Sequence, residues 1–212
     1  MSPARLSPIG LALGMVVLAG PVALSGQDAT DLSEPLARAL SDAQRAHLWR
    51  VAAWGGANLA AGLALLSTSP SATAPGRRGF GIQTAAWGAI NLGIAAWGLS
   101  SHGMPEAGLG SVLRAEDGYA HVLLVNLGLN VGYMAVGTAL MVAANHGLRG
   151  GAAVRGHGGA VVVQGLGLLV LDGIAWAGSR GRLDRLHEMV GGLQPGPEAG
   201  SVSLVLGSVP FG

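Results

Sequence analysis

The chain has no cysteine and no lysine, only two phenylalanines and two tyrosines, and little charge, with 11% of its residues Asp, Glu or Arg. Without cysteine there can be no disulfide, no thiolate nucleophile and no cysteine metal ligand, and the redox compartment stays undetermined. The net charge of +1 and the lack of a basic, aromatic-interleaved surface give no reason to expect a nucleic-acid partner. Catalytic signatures are also missing. There is no His-Glu-x-x-His pair, no Gly-x-x-x-x-Gly-Lys phosphate loop and no Gly-x-Ser-x-Gly elbow, so the expectation is of a non-enzymatic protein without cofactor or metal.

Half of the 212 residues are apolar and 37 are glycine, a composition far from that of ordinary soluble domains. Residues 1–25 carry Arg5, a short apolar run and Ala23-Leu24-Ser25, the pattern of a cleaved signal peptide. An uncleaved anchor helix is the alternative. Pro21 and the shortness of the run favour cleavage, since a span needs about 20 apolar residues. Residues 26–47 follow as a polar external lead-in helix, with Leu32, Leu36 and Leu40 on one face.

Residues 48–178 hold four long apolar segments, at about 48–66, 82–99, 120–144 and 159–177. Each is close to the length that crosses a hydrocarbon core of roughly 30 Å. Continuous apolarity without alternation excludes a porin-type barrel. Backbone groups in lipid must be satisfied within their own segment, so the fold class is all-α, an integral membrane bundle of four transmembrane helices. Residues 179–193, with Leu183, Leu186, Val190 and Leu193 in helical register, read as an amphipathic helix, either on the membrane surface or solvated; residues 194–212 are a tail. The expected location is multi-pass in a bacterial inner membrane. A cleaved signal makes the loops with Arg77, Arg78, Arg149 and Arg155 cytoplasmic, although the remaining arginines do not follow the positive-inside rule cleanly.

Ala52–Ser67 and Ala85–Ser100 share Ala-Ala-Trp-Gly, Asn-Leu and a final Ser at an offset of 33. On consecutive spans such a repeat is inverted, as in many transporters, unless it is convergence of Ala/Gly/Leu-rich helices. The strings WGAINLGIAAWG, NLGLNVGYMAVGTAL and VVVQGLGLLVLDGIAW make the region from Leu48 to Trp176 resemble an uncharacterised family of small bacterial membrane proteins, a domain of unknown function. The resemblance implies a multi-helix membrane domain and brings no activity or ligand. Trp87, Asn91, Asn130, Gly132, Tyr133, Gln164 and Asp172 are the family-like positions.

Polar residues inside the spans are the candidate site, because an ionisable side chain at mid-membrane costs about 3 kcal/mol or more and requires a partner or a wet cavity. Asp172 stands out, with Gln164, Leu168 and Trp176 stepping by four along its helix. Arg50, Trp54 and Asn58 form a comparable stripe, as do Asn126 and Asn130. The expected cluster comprises Asp172, Arg50, His121, Asn126, Asn58, Asn91, Asn130 and Gln164, with Arg50 or His121 pairing Asp172. Glu116 and Asp117 are expected to be solvated. The first functional expectation is a structural or assembly bundle in membrane lipid, forming homo-oligomers through small-residue faces. The second is a carrier or channel for an ion or polar solute using Asn58, Asn91, Asn130 and Asp172; membrane catalysis by Asp172 with His121 is a third. A cavity at Asp172 discriminates for the second.

Overall fold

A computed structural model of the protein describes residues 28–192 apart from positions 107 and 148, and the expected signal peptide and tail lie outside these. Four helices make up the fold: α1 (Asp28–Ser67), α2 (Pro75–Ser101), α3 (Leu109–Asn145) and α4 (Gly151–Gly192). Pro75 opens α2, where its missing N–H costs nothing and its fixed φ suits a first turn. Gly108 precedes α3 at φ 125°, and Gly147 and Gly150 carry the chain from α3 into α4 at φ 85° and 75°, values that side chains rarely adopt.

The lead-in segment and the first apolar segment are one helix, and the fourth apolar segment runs without a break into residues 179–192. Pro35 lies inside α1, seven residues after its first, where it forgoes one backbone hydrogen bond to the carbonyl four residues before it. At 1.5 Å per residue α1 and α4 are about 60 Å long, twice a hydrocarbon core. Two helices, α3 and α4, are long and apolar enough to cross a membrane.

Consecutive helices run antiparallel. α1 packs on α2, α2 on α4 and α4 on α3, while α1 closes more lightly on α3 and α4, and α2 and α3 do not pack on each other. One end of the bundle has an ordinary apolar core: Ala37, Val112 and Leu186 are buried together, with Leu36, Leu109, Leu113 and Met189 against them. Leu183 and Leu186 thus pack inside the protein. This corrects the expectation of a surface-lying or solvated amphipathic helix, because α1 and α3 extend far enough to cover that stripe.

Towards the other end the arrangement reverses. Asn58, Asn91, Asn130, Gln164 and Asp172 are buried, whereas Ile82, Ile90, Val125, Val131, Val136, Leu166 and Val170 face outward. Glycines make this interior possible. Gly55 and Gly88 oppose one another across α1 and α2, and a Cβ on Gly88 would lie 2.4 Å from the Leu59 nitrogen. A Cβ on Gly156 would meet the Gly76 carbonyl oxygen at 2.0 Å between α2 and α4. Gly55 and Gly88 are equivalent positions of the repeat, as are Asn58 and Asn91, so the two copies meet face to face.

Gly88→Leu is expected to force α1 and α2 apart and to lower thermal stability in detergent by about 1–3 kcal/mol, the usual scale of overpacking. Gly93→Ala, with nothing within 4 Å, is expected to melt as the parent does in the same scan.

Candidate functional site

Three buried polar groups follow one another along the bundle. Nearest the charged end, Glu116 accepts from Arg182 at 2.8 Å (Nε) and 2.9 Å (Nη2), and from the Ser179 hydroxyl. Its side chain is buried while Asp117 next to it is exposed, so the expectation that both are solvated is corrected for Glu116. Adjacent helix residues point about 100° apart, and only Glu116 faces α4.

About 15 Å further along α4, at ten residues of 1.5 Å each, lies Asp172. Asn130 Nδ2 donates to its Oδ2 at 2.7 Å, and His47 Nε2 lies 3.1 Å from its Oδ1. The basic side chain facing Asp172 is therefore neither of those expected. Arg50 is exposed on α1, and His121 is exposed on α3, where its Nδ1 bonds the Asp117 carbonyl at 2.8 Å. Both point away from Asp172 because of helical phase.

A further turn or two along, Gln164 is 1% exposed and joins three helices. Its Oε1 accepts from Trp54 Nε1 at 3.0 Å and from Asn91 Nδ2 at 3.5 Å, and its Nε2 donates to Asn58 Oδ1. Asn58 Nδ2 in turn donates to the Trp54 carbonyl at 2.7 Å. The Trp54 indole ring fills the notch at Gly167, where a Cβ would stand 2.2 Å from it.

A cavity of about 430 Å³ adjoins Asp172 and lies between these groups. Gln44, Asn91, His102, Asn126 and Asn130 are among its polar lining residues, and His47 and Tyr119 also border it. His47 is 7% exposed, its Nδ1 has no hydrogen-bond partner, and neither has the buried Tyr119 hydroxyl. The two rings meet edge to face, 6.5 Å between centroids. Tyr133, another wall residue, packs on Trp87 at 5.0 Å. Of the expected cluster, then, Asp172, Asn130, Asn126 and Asn91 reach this cavity, Asn58 and Gln164 form the closed group beside it, and Arg50 and His121 belong to neither. Among the described residues no group of three or more His, Asp or Glu is placed to hold a metal ion.

Chemically the site offers a carboxylate held at both oxygens, an imidazole with one free nitrogen, a free phenol and amides, in a pocket of small-molecule size. Sequence reasoning passed over His47, Tyr119 and Glu116. The signal that finds them is angular. At about 100° per residue, His47 lies 20° from Trp54 around α1 and Arg50 lies 40° away, while Tyr119 lies about 20° from Asn130 around α3 and His121 is diametrically opposite.

Polar groups turned inward, apolar ones outward and a cavity in the polar layer define a helical bundle with an inverted interior. Residues 50–173 match the family of unknown function DUF6992, and the chain belongs to that family. Comparison with curated proteins and with solved structures finds no match. The matched segment ends just after Asp172 and begins just after His47, so it contains the Gln164 group whole and lacks His47, Ser179 and Arg182.

Removing one partner of a buried ion pair strands the other and costs about 3–5 kcal/mol. Glu116→Leu and Arg182→Met are each expected to destabilise the protein on that scale. The double variant should lose far less than their sum, which chemical denaturation of the four proteins checks.

Proposed function

We propose that the protein is a multi-pass protein of a bacterial cytoplasmic membrane, with all four helices spanning, whose interior cavity binds a small polar-headed molecule for storage or carriage without chemistry on it. The single observation that carries this is the cavity of about 430 Å³ beside Asp172, with the amides of Asn91, Asn126 and Asn130 among its lining. A clasp serving only to hold helices together would close around its polar atoms, as the Gln164 group does, and leave no room beside them.

Two levels along the bundle support the spanning of all four helices. Trp49 and Trp97 are exposed on α1 and α2, and Trp176 lies one turn beyond Asp172 on α4. The opposite end carries Arg77, Arg78, Arg149 and Arg155 without a single acidic residue from 51 to 105 or from 118 to 171. From Trp176 to Arg155, and from Trp97 to Arg78, the rise is about 30 Å at 1.5 Å per residue, the thickness of a hydrocarbon core. Aromatic residues suit one interface and uncompensated arginines the cytoplasmic one. Outward apolar side chains on α1 and α2, among them Leu63, Ile82, Ile90 and Ile94, need the same lipid as those on α3 and α4.

A second reading, assembly of copies in the membrane, is favoured by one observation: Gly128 and Gly132 of α3 have open space above them, next to a shallow apolar groove running from Val131 to Ala143. Close helix approach between copies over such a face is the usual use of small residues in lipid.

The absence of cysteine makes the test simple. In sealed vesicles, single cysteines at Ser71 and at Asp184 are expected to react with an impermeant maleimide from opposite sides, and labelling from the same side would sink the four-span reading. Asn126→Cys on the cavity wall is expected to react with N-ethylmaleimide while Ala160→Cys, fully buried, does not. An inert Asn126→Cys would remove the accessible cavity and leave the assembly reading.

A further inference from the structure

We propose that the end of the bundle carrying Arg77, Arg78, Arg149 and Arg155 binds an acidic phospholipid of the surrounding bilayer through its phosphate, in preference to a zwitterionic one. The proposal rests on the four-span reading above and is independent of the Asp172 cavity. Charge carries it. On α1, α3 and α4 the carboxylates nearest this end are Asp42, Asp117 and Asp172, and α2 has none. Each is about 25 Å or more away along its helix, beyond a screening length of about 8 Å, so the described residues give these four guanidinium groups no counter-charge.

Packing gathers the four into one surface. α2 and α4 run parallel and start side by side: a Cβ on Gly156 would meet the Gly76 carbonyl oxygen at 2.0 Å, and one on Gly79 the Ala153 carbonyl oxygen at 2.5 Å. Arg77 and Arg155, the chain neighbours of Gly76 and Gly156, therefore flank one seam. Arg77 Nη2 donates to the Thr68 hydroxyl at 3.3 Å, just past the end of α1, and Arg155 Nη1 donates to Asn145 Oδ1 at 3.4 Å, at the end of α3. Both acceptors are neutral, so both charges remain. Arg149 is exposed in the turn between α3 and α4, and Arg78 is half-buried. Neither α2 nor α4 has an acidic residue in its first turn, and the positive ends of two helix dipoles add to the same surface.

Phosphate is the group such a surface fits, because a guanidinium presents paired N–H donors at the spacing of two phosphate oxygens. What lies one turn further in selects a lipid over free phosphate. Ile82 follows Arg78 by four residues, about 6 Å, and Leu63 of α1 and Val142 of α3 stand about a turn from their helix ends. All three are exposed. A phosphate held by the arginines thus has apolar surface beside it for its acyl chains, which free phosphate would leave uncovered.

The test uses the full chain in neutral detergent with phosphatidylglycerol and phosphatidylcholine of matched acyl chains. Phosphatidylglycerol is expected to bind about twenty-five-fold more tightly, about fivefold for an arginine on either side of the seam. Added salt should erase the preference, and glycerol 3-phosphate should not displace the lipid. Arg77→Gln with Arg78→Gln, and Arg149→Gln with Arg155→Gln, should each weaken phosphatidylglycerol about fivefold, whereas Arg180→Gln with Arg185→Gln at the opposite end should not. A nitroxide on Ser71→Cys, which leaves every arginine in place, is expected to broaden the phosphorus resonance of bound phosphatidylglycerol, and one on Asp184→Cys to leave it sharp. Displacement by glycerol 3-phosphate would make free phosphate the occupant and overturn the lipid. Broadening from Asp184→Cys instead, or binding that survives both arginine pairs, would overturn the site. Equal binding of the two lipids by a protein whose Ser71→Cys and Asp184→Cys label from opposite sides of sealed vesicles overturns this proposal alone; same-side labelling overturns the four-span reading with it.

Discussion

The interior of this bundle depends on the requirement that polar groups cut off from water find partners in the protein. Gln164 shows how that requirement shapes the rest. A carboxamide reaches only a few ångströms, yet this one must meet Trp54 and Asn58 on α1 and Asn91 on α2 from its place on α4. Three backbones therefore have to approach closely, and Gly55 with Gly88 and Gly76 with Gly156 are where they do so. The glycine content and the buried amides are two halves of one device. Individual interhelical hydrogen bonds in lipid contribute only about 0.6 kcal/mol on average, so no single bond holds the bundle. Leaving such a group unpaired costs about 1–3 kcal/mol, and the network acts chiefly by penalising every other register.

The two ends of the bundle are packed on opposite rules. At the charged end Ala37, Val112 and Leu186 are gathered inside and charges lie outside, with Glu116 kept buried by a two-pronged arginine and a serine. Two turns further the rule inverts, and valines and isoleucines face outward around a polar centre. Long helices accommodate both regimes because their backbone hydrogen bonds are satisfied internally. The inversion is what separates this bundle from a soluble one. In a soluble domain the outward row of Ile90, Ile94, Trp97 and Val125 would meet water, and the inward amides would take the place of a core.

Helical class and the burial of the polar residues Asn58, Asn91, Asn130, Gln164 and Asp172 were legible in the sequence. Runs of that length and uniformity have few other solutions. Continuity through residues 28–67 and 151–192 was less so, since a change from polar to apolar composition resembles a boundary when the partner helices are unknown. The pairing of Asp172 was missed for a different reason. A step of four residues drifts by about 40° around the helix, so counting back from Trp54 by four selects Arg50 on the outer face, while a step of seven returns within about 20° and selects His47. Glu116 was missed because its partner Arg182 is 66 positions away and nothing local announces it.

What distinguishes the Asp172 group from the other polar contacts is the combination of a fixed acid, free polar atoms and space. Unpartnered buried atoms alone would not suffice, for Thr84 Oγ1 and Trp87 Nε1 are unpartnered too, away from that wall. Nor would a cavity alone, since an apolar void beside leucines holds nothing polar. His47 Nδ1 and Tyr119 Oη come from α1 and α3, which are only lightly packed, and they meet where α2 and α3 leave a gap. Asn130 fixes the second oxygen of Asp172 from α3, so the carboxylate cannot turn to satisfy itself elsewhere. The acid is therefore held on two sides, and its imidazole partner keeps one buried nitrogen without a hydrogen bond. Such an arrangement leaves two buried hydrogen-bonding atoms unmet, at a cost of about 1–3 kcal/mol each.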